Sequence, residues 1–345
     1  MSVVHRVPLP MGATPMVETG AAVEPETVLA TRRPPGTGVS IPVATRLRRA
    51  PDEAAGCLVA RPGSVLEAGV VLARDDRGHE VRVTAASLLL AYDPHDGTAL
   101  IAPLGERESI LGHVRGEVAR VDPDGIEIRV SGAVVTGVGG SGGAVHGELR
   151  LAVHDPGDEL RASAIDVGAA DRIVVGGSRA SAEALTRARA MGVAGMVLGG
   201  VLDKELRDFE ATQARRRRTG TASTPDLSVL LLEGYGKVAL DPALFAWFRA
   251  NDGHLATLLG ATGTLYVYDA DPPPARHILP RVGDRVVAHR RPHAGQAGVV
   301  LELLDGLRFA SSGIAAIAAL VRFEDGLTAV VPLANLEATE PVPGS

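Results

Sequence analysis

The stretch Asp171–Leu259 decides the fold, because it repeats the order strand, glycines, helix three times. Its apolar runs are Arg172-Ile-Val-Val175, Gly195-Met-Val-Leu198 and Ser228-Val-Leu-Leu-Leu232, and each leads through glycines into a helical pattern. Short β-branched runs that are bounded by glycine are typical of strands buried on both faces of a sheet. Alternating strands and helices of this size predict a small parallel sheet with crossover helices.

The three helices have starts that can be identified from the sequence. Ser178 or Ser181 can cap the first helix, the second begins at Asp203, and Asp241-Pro242 places a cap before a proline at the first helical position of the third. Apolar residues at helical spacing predict the buried faces. These residues are Ala184, Leu185, Ala188, Met191, Leu202, Leu206, Phe209, Leu244, Phe245 and Phe248.

The glycine-containing loops of this core are the candidate ligand site. Loops that follow parallel strands meet at one edge of the sheet, where ligands bind. The residues expected there are Gly176, Gly177, Ser178, Gly199, Gly200, Glu233, Gly236 and Lys237. Free amides at a helix start, together with one lysine, predict an anionic small molecule as ligand. As an alternative, the glycines only end strands and the charges are solvated.

Composition limits the class of protein. The chain has 345 residues, a net charge of -6 and one cysteine, Cys57. The acidic balance argues against a general nucleic-acid binder, and the single cysteine fits a reducing compartment. The first residues lack a signal-peptide pattern and no apolar run approaches the ~20 residues of a membrane span. We therefore expect a cytoplasmic protein with no membrane contact.

The amino-terminal third contains an internal repeat. The segment Gly20–Ala30 matches Gly63–Ala73 in its glycine, branched apolar residue, glutamate and final Val-Leu-Ala. Each copy predicts a turn followed by a strand. Alternating patterns continue around the turn Asp122-Pro-Asp-Gly125, which predicts a hairpin.

These residues resemble the barrel-sandwich fold of lipoyl and biotinyl domains, over about Val3 to Val130. The likeness includes Ala102-Pro103 and Gly112-His-Val-Arg-Gly-Glu-Val118. Members that carry biotin or lipoate attach it to a lysine in a hairpin. Because Val3–Val130 contains no lysine, we expect no such cofactor, and a structural β-domain of two similar halves is the preferred interpretation.

The glycine run contains two motif strings: Gly137–Gly142 matches the dinucleotide fingerprint, and Gly139–Gly143 matches the nucleophile elbow. Both motifs need a helix immediately afterwards. The following residues, Ala144–Val153, alternate like a strand instead. A flexible hairpin loop is therefore predicted for the run, and a loop that covers a substrate is the alternative.

The carboxyl-terminal segment follows a stiff Asp-Pro-Pro-Pro stretch that marks a domain boundary. Its Val282-Gly-Asp-Arg-Val-Val287, Gly295-Gln-Ala-Gly298 and Ala329–Leu336 resemble a KOW or SH3-like small barrel. The resemblance implies contacts with RNA, ribosomes or RNA polymerase. The candidate contact residues are Arg285, Arg290, Arg291 and His293.

The whole chain is therefore predicted to be a multidomain α+β protein. Its units are a β-rich, barrel-sandwich-like region at 1–160, a parallel α/β core at 161–268 and an SH3-like barrel at 275–340. No HExxH, CxxC or EF-hand spacing is present, so we predict no metal site, no catalytic residue and no cofactor.

Three functions fit these predictions. The first is a non-catalytic interaction or ligand-sensing protein that binds another protein. The second is an enzyme that uses Glu233 and Lys237 on an anionic small molecule. The third is a translation- or transcription-associated factor that acts through the KOW-like segment.

Overall fold

The computed structural model describes residues 2–10, 12–219, 226–274, 280–309 and 315–340, and this part of the chain is strand-rich and broadly α+β. Residues 275–279, where the predicted third unit begins, lie outside the described residues.

The amino-terminal third is almost entirely strand. Its elements are β1 (Ser2–Pro8), β2 (Thr14–Pro15), β3 (Ala22–Val23), β4 (Val28–Arg32), β5 (Val39–Pro42), α1 (Val43–Leu47), α2 (Pro51–Ala55), β6 (Val65–Leu66), β7 (Val71–Arg74), β8 (Glu80–Arg82), β9 (Ser87–Asp93), β10 (Thr98–Pro103), β11 (Glu108–Leu111), β12 (Gly116–Asp122) and β13 (Gly125–Thr136).

The middle of the chain alternates strands with helices. Its elements are β14 (Gly139–Ser141), β15 (Ala144–Leu151), β16 (Glu159–Leu160), two short 3-10 turns (Ala162–Ala164 and Val167–Ala169), β17 (Ile173–Val175), β18 (Arg179–Ala180), α3 (Ala182–Ala190), β19 (Gly195–Val201), α4 (Asp203–Arg218), β20 (Ser228–Tyr235), α5 (Pro242–Ala250), β21 (Leu255–Leu259) and β22 (Thr264–Tyr268). The last segment contains β23 (Arg285–Ala288), β24 (Ala297–Phe309), β25 (Ala315–Phe323), β26 (Thr328–Pro332), a 3-10 turn (Leu333–Asn335) and β27 (Leu336–Glu340).

The two copies of the predicted amino-terminal repeat make matching backbone hydrogen bonds. In the first copy the Gly20 amide donates to the Val118 carbonyl at 2.8 Å. In the second copy the Gly63 amide donates to the Leu89 carbonyl at 2.7 Å. Both glycines have a left-handed φ, +88° and +90°, which suits glycine and strains other residues. Each copy then forms a turn and a strand, as the sequence predicts.

The second copy is inserted into the fold of the first. We call residues 2–33 and 104–131 the host unit and residues 39–103 the inserted unit; each has its own hydrophobic cluster. The inserted unit contributes the sheet β5–β10–β9–β6, and the host unit contributes β11–β4–β2. A bridge between Pro35 and Leu104 holds the two connecting segments side by side.

Four parallel strands in the order β15–β17–β19–β20 form the centre of the α/β core, with α3 and α4 on one face and α5 on the other. Alternate strand residues face opposite sides, as period-two geometry requires. Residues on the α3–α4 side include Val174, Met196, Leu198, Val229 and Leu231, and residues on the α5 side include Ile173, Val175, Val197, Leu230 and Leu232. The strand order follows the chain order, so these four strands contain no reversal of the kind that opens a ligand crevice.

The predicted helix starts are confirmed at Ser181 and Asp241. The Ser181 hydroxyl accepts a hydrogen bond from the Ala184 amide at 3.2 Å, and the Asp241 carboxylate accepts one from the Leu244 amide at 2.9 Å. The prediction that Leu202 is buried is wrong, since it is 40% exposed. Leu202 lies in the turn before α4 and does not share the buried face of that helix.

Two of the predicted glycine loops are partly strand, which corrects their assignment. β19 continues through Gly199 and Gly200, and β20 continues through Glu233. The physical reason is that parallel pairing persists to this point, with Gly200 opposite Gly234. Gly236 and Lys237 lie in the loop that follows β20.

The run Gly137–Gly142 is not a flexible hairpin loop, so that prediction is wrong. Its central residues form β14, which is antiparallel to β20 and to β25. A Cβ on Gly140 would lie 2.6 Å from the Gly260 carbonyl oxygen, and one on Gly137 would overlap the Leu231 carbonyl. Neighbouring backbones therefore approach too closely for any side chain.

The carboxyl-terminal strands have the order β27–β23–β24–β25, with β26 also on β25. The β24–β25 hairpin is long, and its far end reaches the α/β core, where the Ile317 amide donates to the Val138 carbonyl at 3.1 Å. On the opposite side of the core, β22 pairs with β13. Hydrogen-bonded strands therefore run across both predicted unit boundaries.

Candidate functional site

The structure brings the predicted glycine residues together. The Gly199 amide donates to the Gly177 carbonyl at 2.8 Å. A Cβ on Gly200 would lie 2.5 Å from the Gly236 carbonyl oxygen, so these two backbones are in contact. The glycines thus form one cluster at the carboxyl edge of β17, β19 and β20.

Backbone from other segments already covers this cluster. The Ser178 amide donates to the Asp158 carbonyl at 2.7 Å, and the Ser178 hydroxyl donates to the Gly157 carbonyl at 2.9 Å. Ser178 is 1% exposed, and the Gly176 amide donates to the Val197 carbonyl. The Gly176 and Ser178 amides, which the sequence predicts to face an anion, therefore donate to carbonyls of the protein.

The two charged residues of the predicted site differ in their surroundings. A Glu233 carboxylate oxygen accepts a hydrogen bond from the Asp241 amide at 3.2 Å, which ties it to the start of α5. Lys237 is exposed. Anion binding at the cluster stays a prediction, and it now depends on the Lys237 ammonium more than on the amides.

The four carboxyl-terminal candidates lie in residues 280–309 and 315–340, which we call the last module. Three of them contact other residues of the same chain. Arg285 pairs with Glu324 at 3.0 Å, and Arg290 donates to the Tyr235 carbonyl of the core at 3.3 Å. The His293 ring stacks on the Phe323 ring with centroids 4.7 Å apart, and its Nδ1 lies 2.8 Å from Gln296. Arg291 is exposed.

A site that sequence reasoning missed lies between the host unit and the inserted unit. It is a cleft of about 560 Å³, which is within the range of ligand-sized clefts. We call it the arginine-rimmed cleft. Its lining is Gly12, Thr14, Thr31, Arg32, Arg33, Pro35, Gly63, Val65, Leu88, Leu89, Leu90, Leu104 and Arg107.

Apolar side chains reach the surface on the inserted unit's side of this cleft. Val65, Leu90 and Leu100 are 56%, 41% and 37% exposed. Leu88 lies opposite Val65 on the neighbouring strand, whereas Leu89 points into the core and is fully buried. We call Val65, Leu88, Leu90 and Leu100 the apolar stripe.

The arginines differ in how far they are neutralised. Arg32 pairs with Glu108 at 3.1 Å across β4 and β11. Arg33 donates to the Gly105 carbonyl and forms a long ion pair with Glu67 at 3.9 Å. Within the part of the chain that the structure describes, Arg107 has no hydrogen-bond or ion-pair partner. Positive charge therefore remains at the rim.

The sequence contained a signal for this surface. The run Leu88-Leu89-Leu90 breaks the alternation of an antiparallel strand, in which one face is normally polar. The cleft itself could not be predicted from the sequence, because its other wall comes from two distant segments of the host unit, within 12–33 and 104–107.

A network of hydrogen-bonded polar side chains lies between the host unit and the core sheet. The Tyr268 hydroxyl accepts a hydrogen bond from the Arg115 amide at 2.9 Å and lies 2.6 Å from the Thr257 hydroxyl, which is 2.9 Å from His146 Nδ1. Burial raises the pKa of Tyr268 and lowers that of His146. The chain of bonds fastens two parts of the fold to each other.

In the same region Tyr266 is buried, and His5 beside it is half-buried. His5 Nδ1 lies 3.0 Å from the Tyr266 hydroxyl, and the rings meet edge to face. Burial, together with repulsion from His113, lowers the pKa of His5 to about 4, and burial raises the pKa of Tyr266 to about 12. Both groups are therefore neutral at pH 7.

Among the described residues, no group of three or more His, Cys, Asp or Glu side chains is arranged to hold a metal ion. None of the helices in the described ranges is long and apolar enough to cross a bilayer. No family model matches the chain, and no curated protein matches it.

Proposed function

We propose that the chain is a non-catalytic interaction protein that binds another protein through the arginine-rimmed cleft and the apolar stripe. The observation that carries this proposal is the outward position of the stripe. Isolated exposed apolar residues are ordinary, but neighbouring ones on one sheet next to a cleft are typical of a binding surface. The stripe spans β6, β9 and β10, about 10 Å across the sheet.

The proposal extends to the finer fold of two regions. The host and inserted units are proposed to be nested barrel-sandwich-like modules, which is supported by their shared turn, strand and glycine hydrogen bonds. The last module is proposed to be an SH3-like barrel of the KOW type. Its strand order and the 3-10 turn before β27 support this assignment.

The two alternative functions have less support. An enzyme that uses Glu233 and Lys237 needs space for a substrate, and the neighbouring Ser178 is almost fully buried. Binding of RNA or RNA polymerase by the last module would rest mainly on Arg291, since Arg285 and Arg290 already have partners within the chain.

The proposal is tested with two double variants of the full chain. Leu90→Lys/Leu100→Lys places two charges on the stripe. The control, Val4→Lys/Leu255→Lys, changes two residues that are 62% and 51% exposed elsewhere. Both variants should melt like the wild type, because all four side chains are on the surface.

Tagged wild type and both variants are expressed in the cells of origin, and the proteins that co-purify are quantified by mass spectrometry. Loss of two buried leucine contacts costs about 3 kcal/mol or more, so recovery of a specific partner should fall more than about tenfold with the stripe variant. The control should recover it like the wild type. Equal recovery by all three proteins contradicts the proposal.

A further inference from the structure

The arginine-rimmed cleft has features that specify its occupant, provided that the proposed interaction function holds. Two short edge strands line it: Thr14 belongs to β2 and Val65 to β6. Each of these strands is paired on one side only, β2 with β4 and β6 with β9. The cleft therefore lies where two separate sheets end side by side.

All the charged residues that line the cleft are positive. Arg32, Arg33 and Arg107 line the cleft, and no acidic residue does. Glu108 pairs with Arg32 at 3.1 Å and Glu67 pairs with Arg33 at 3.9 Å, both from outside the lining, which leaves Arg107 and the loosely paired Arg33 to attract an occupant. This positive rim stands out on a chain whose net charge is -6. Charge complementarity therefore favours an occupant with carboxylates.

The apolar stripe extends beyond the cleft. Val65, Leu88 and Leu90 belong to the lining, whereas Leu100 does not, although it is 37% exposed. Leu90 and Leu100 both approach Gly38, so their side chains are neighbours on the surface. A small amphiphile that fills the cleft would leave Leu100 in water, but a polypeptide that lies along the stripe would cover it.

We infer that the cleft and stripe bind an extended segment of a partner protein in which large apolar residues alternate with glutamate or aspartate. In an extended segment, successive side chains point to opposite sides. The apolar set then lies on the stripe while the carboxylates face Arg33 and Arg107. The pattern needed is the simple alternation of an extended chain that crosses the stripe over β6, β9 and β10 and so covers Leu100 as well.

The test uses a defined probe, a fluorescein-labelled nonapeptide in which glutamate alternates with leucine or valine. Matched peptides carry lysine for glutamate, or serine for the apolar residues. Fluorescence polarisation with the full chain measures binding at low and high salt. The acidic amphipathic peptide should bind at least about tenfold more tightly than either control peptide, and added salt should weaken it.

The arginines are tested with Arg33→Glu/Arg107→Glu against the control Arg46→Glu/Arg322→Glu, which makes the same charge change at exposed sites elsewhere. The rim variant should lose peptide affinity about tenfold or more, and the control should stay within about twofold of the wild type. Equal loss in both variants, or equal binding of the lysine peptide, overturns the inference. So does an absence of peptide binding at millimolar concentration.

Two further outcomes separate this inference from the proposed function. If dodecanoate binds and the acidic peptide does not, the occupant is a small amphiphile and the inference is overturned. If partner recovery from cells depends on Leu90 and Leu100 but not on Arg33 and Arg107, the interaction function stands and the acidic-segment inference falls.

Discussion

His5 should make the stability of the protein depend on pH. His5 lies on β1 of the host unit, and its ring packs against Tyr266 of β22. Burial is the main cause of its lowered pKa of about 4, and repulsion from His113 adds to it; the ordinary value is 6.5. The folded protein therefore binds this proton more weakly than the unfolded chain does.

The sign and size of the effect follow from linkage. Between pH 6.5 and about 4 the unfolded chain holds more protons at His5 than the folded protein does. Stability from this residue is therefore complete above pH 6.5, falls as pH decreases to about 4, and is constant below that. One pKa unit corresponds to about 1.4 kcal/mol, and the ring is not fully buried, so we expect a loss of about 2–3 kcal/mol.

The assay is urea unfolding at pH 7 and pH 4 for wild type, His5→Gln and the control His95→Gln, whose residue lies exposed in a turn. Glutamine retains a hydrogen-bonding group but cannot titrate. Between the two pH values the wild type should lose about 2–3 kcal/mol more than His5→Gln, and His95→Gln should behave like the wild type. Equal losses in wild type and His5→Gln would refute the reasoning.

The free energy of unfolding of His5→Gln should still decrease somewhat as the pH falls. Burial lowers the pKa of His113 and of His146 as well, and Glu26 opposes this in both. The comparison between variants is therefore more informative than the wild-type curve alone, because the other groups contribute to both proteins.

Three other predictions concern packing, the polar network and the glycine cluster. Gly140→Ala should lower the free energy of unfolding by about 2 kcal/mol or more, because its Cβ would be 2.6 Å from the Gly260 carbonyl, whereas Gly143→Ala meets nothing within 4 Å and should be nearly neutral; equal melting temperatures would be inconsistent with this packing. Tyr268→Phe should cost about 1–3 kcal/mol, because it leaves the Arg115 amide without its acceptor; unchanged urea unfolding would show that water replaces that bond. Phosphate and dicarboxylates should raise the melting temperature of the wild type more than that of Lys237→Ala, since the Ser178 and Gly199 amides already have acceptors and the Lys237 ammonium is left to bind the anion; equal shifts in the two proteins would count against the anion site.

The α/β core could be predicted because its signals are local. The apolar runs and the caps at Ser181 and Asp241 each specify an element without help from distant residues. The ends of β19 and β20 could not be predicted, because pairing of Gly200 with Gly234 carries the strands through glycines that usually end them. Tertiary contact overrides local preference at those positions.

The glycine run and the cleft were missed for a related reason. Gly137 and Gly140 read as a loop, yet the approach of the Leu231 and Gly260 carbonyls makes them part of a buried strand. The cleft arises because one repeat copy is inserted into the other, and that topology brings Arg33 and Val65 into the lining of one cleft. The spacing of these residues along the sequence does not predict that they lie in the same cleft.

The most direct test of the account is photo-crosslinking from the apolar stripe in living cells. A photoreactive benzoyl-phenylalanine replaces Leu90, and in the control it replaces Leu255, which is 51% exposed on β21. We predict that Leu90 crosslinks to one partner protein, within an extended segment that alternates apolar and acidic residues, and that Leu255 does not. Crosslinks that are absent, that are the same from both positions, or that map to segments without this alternation would contradict the account.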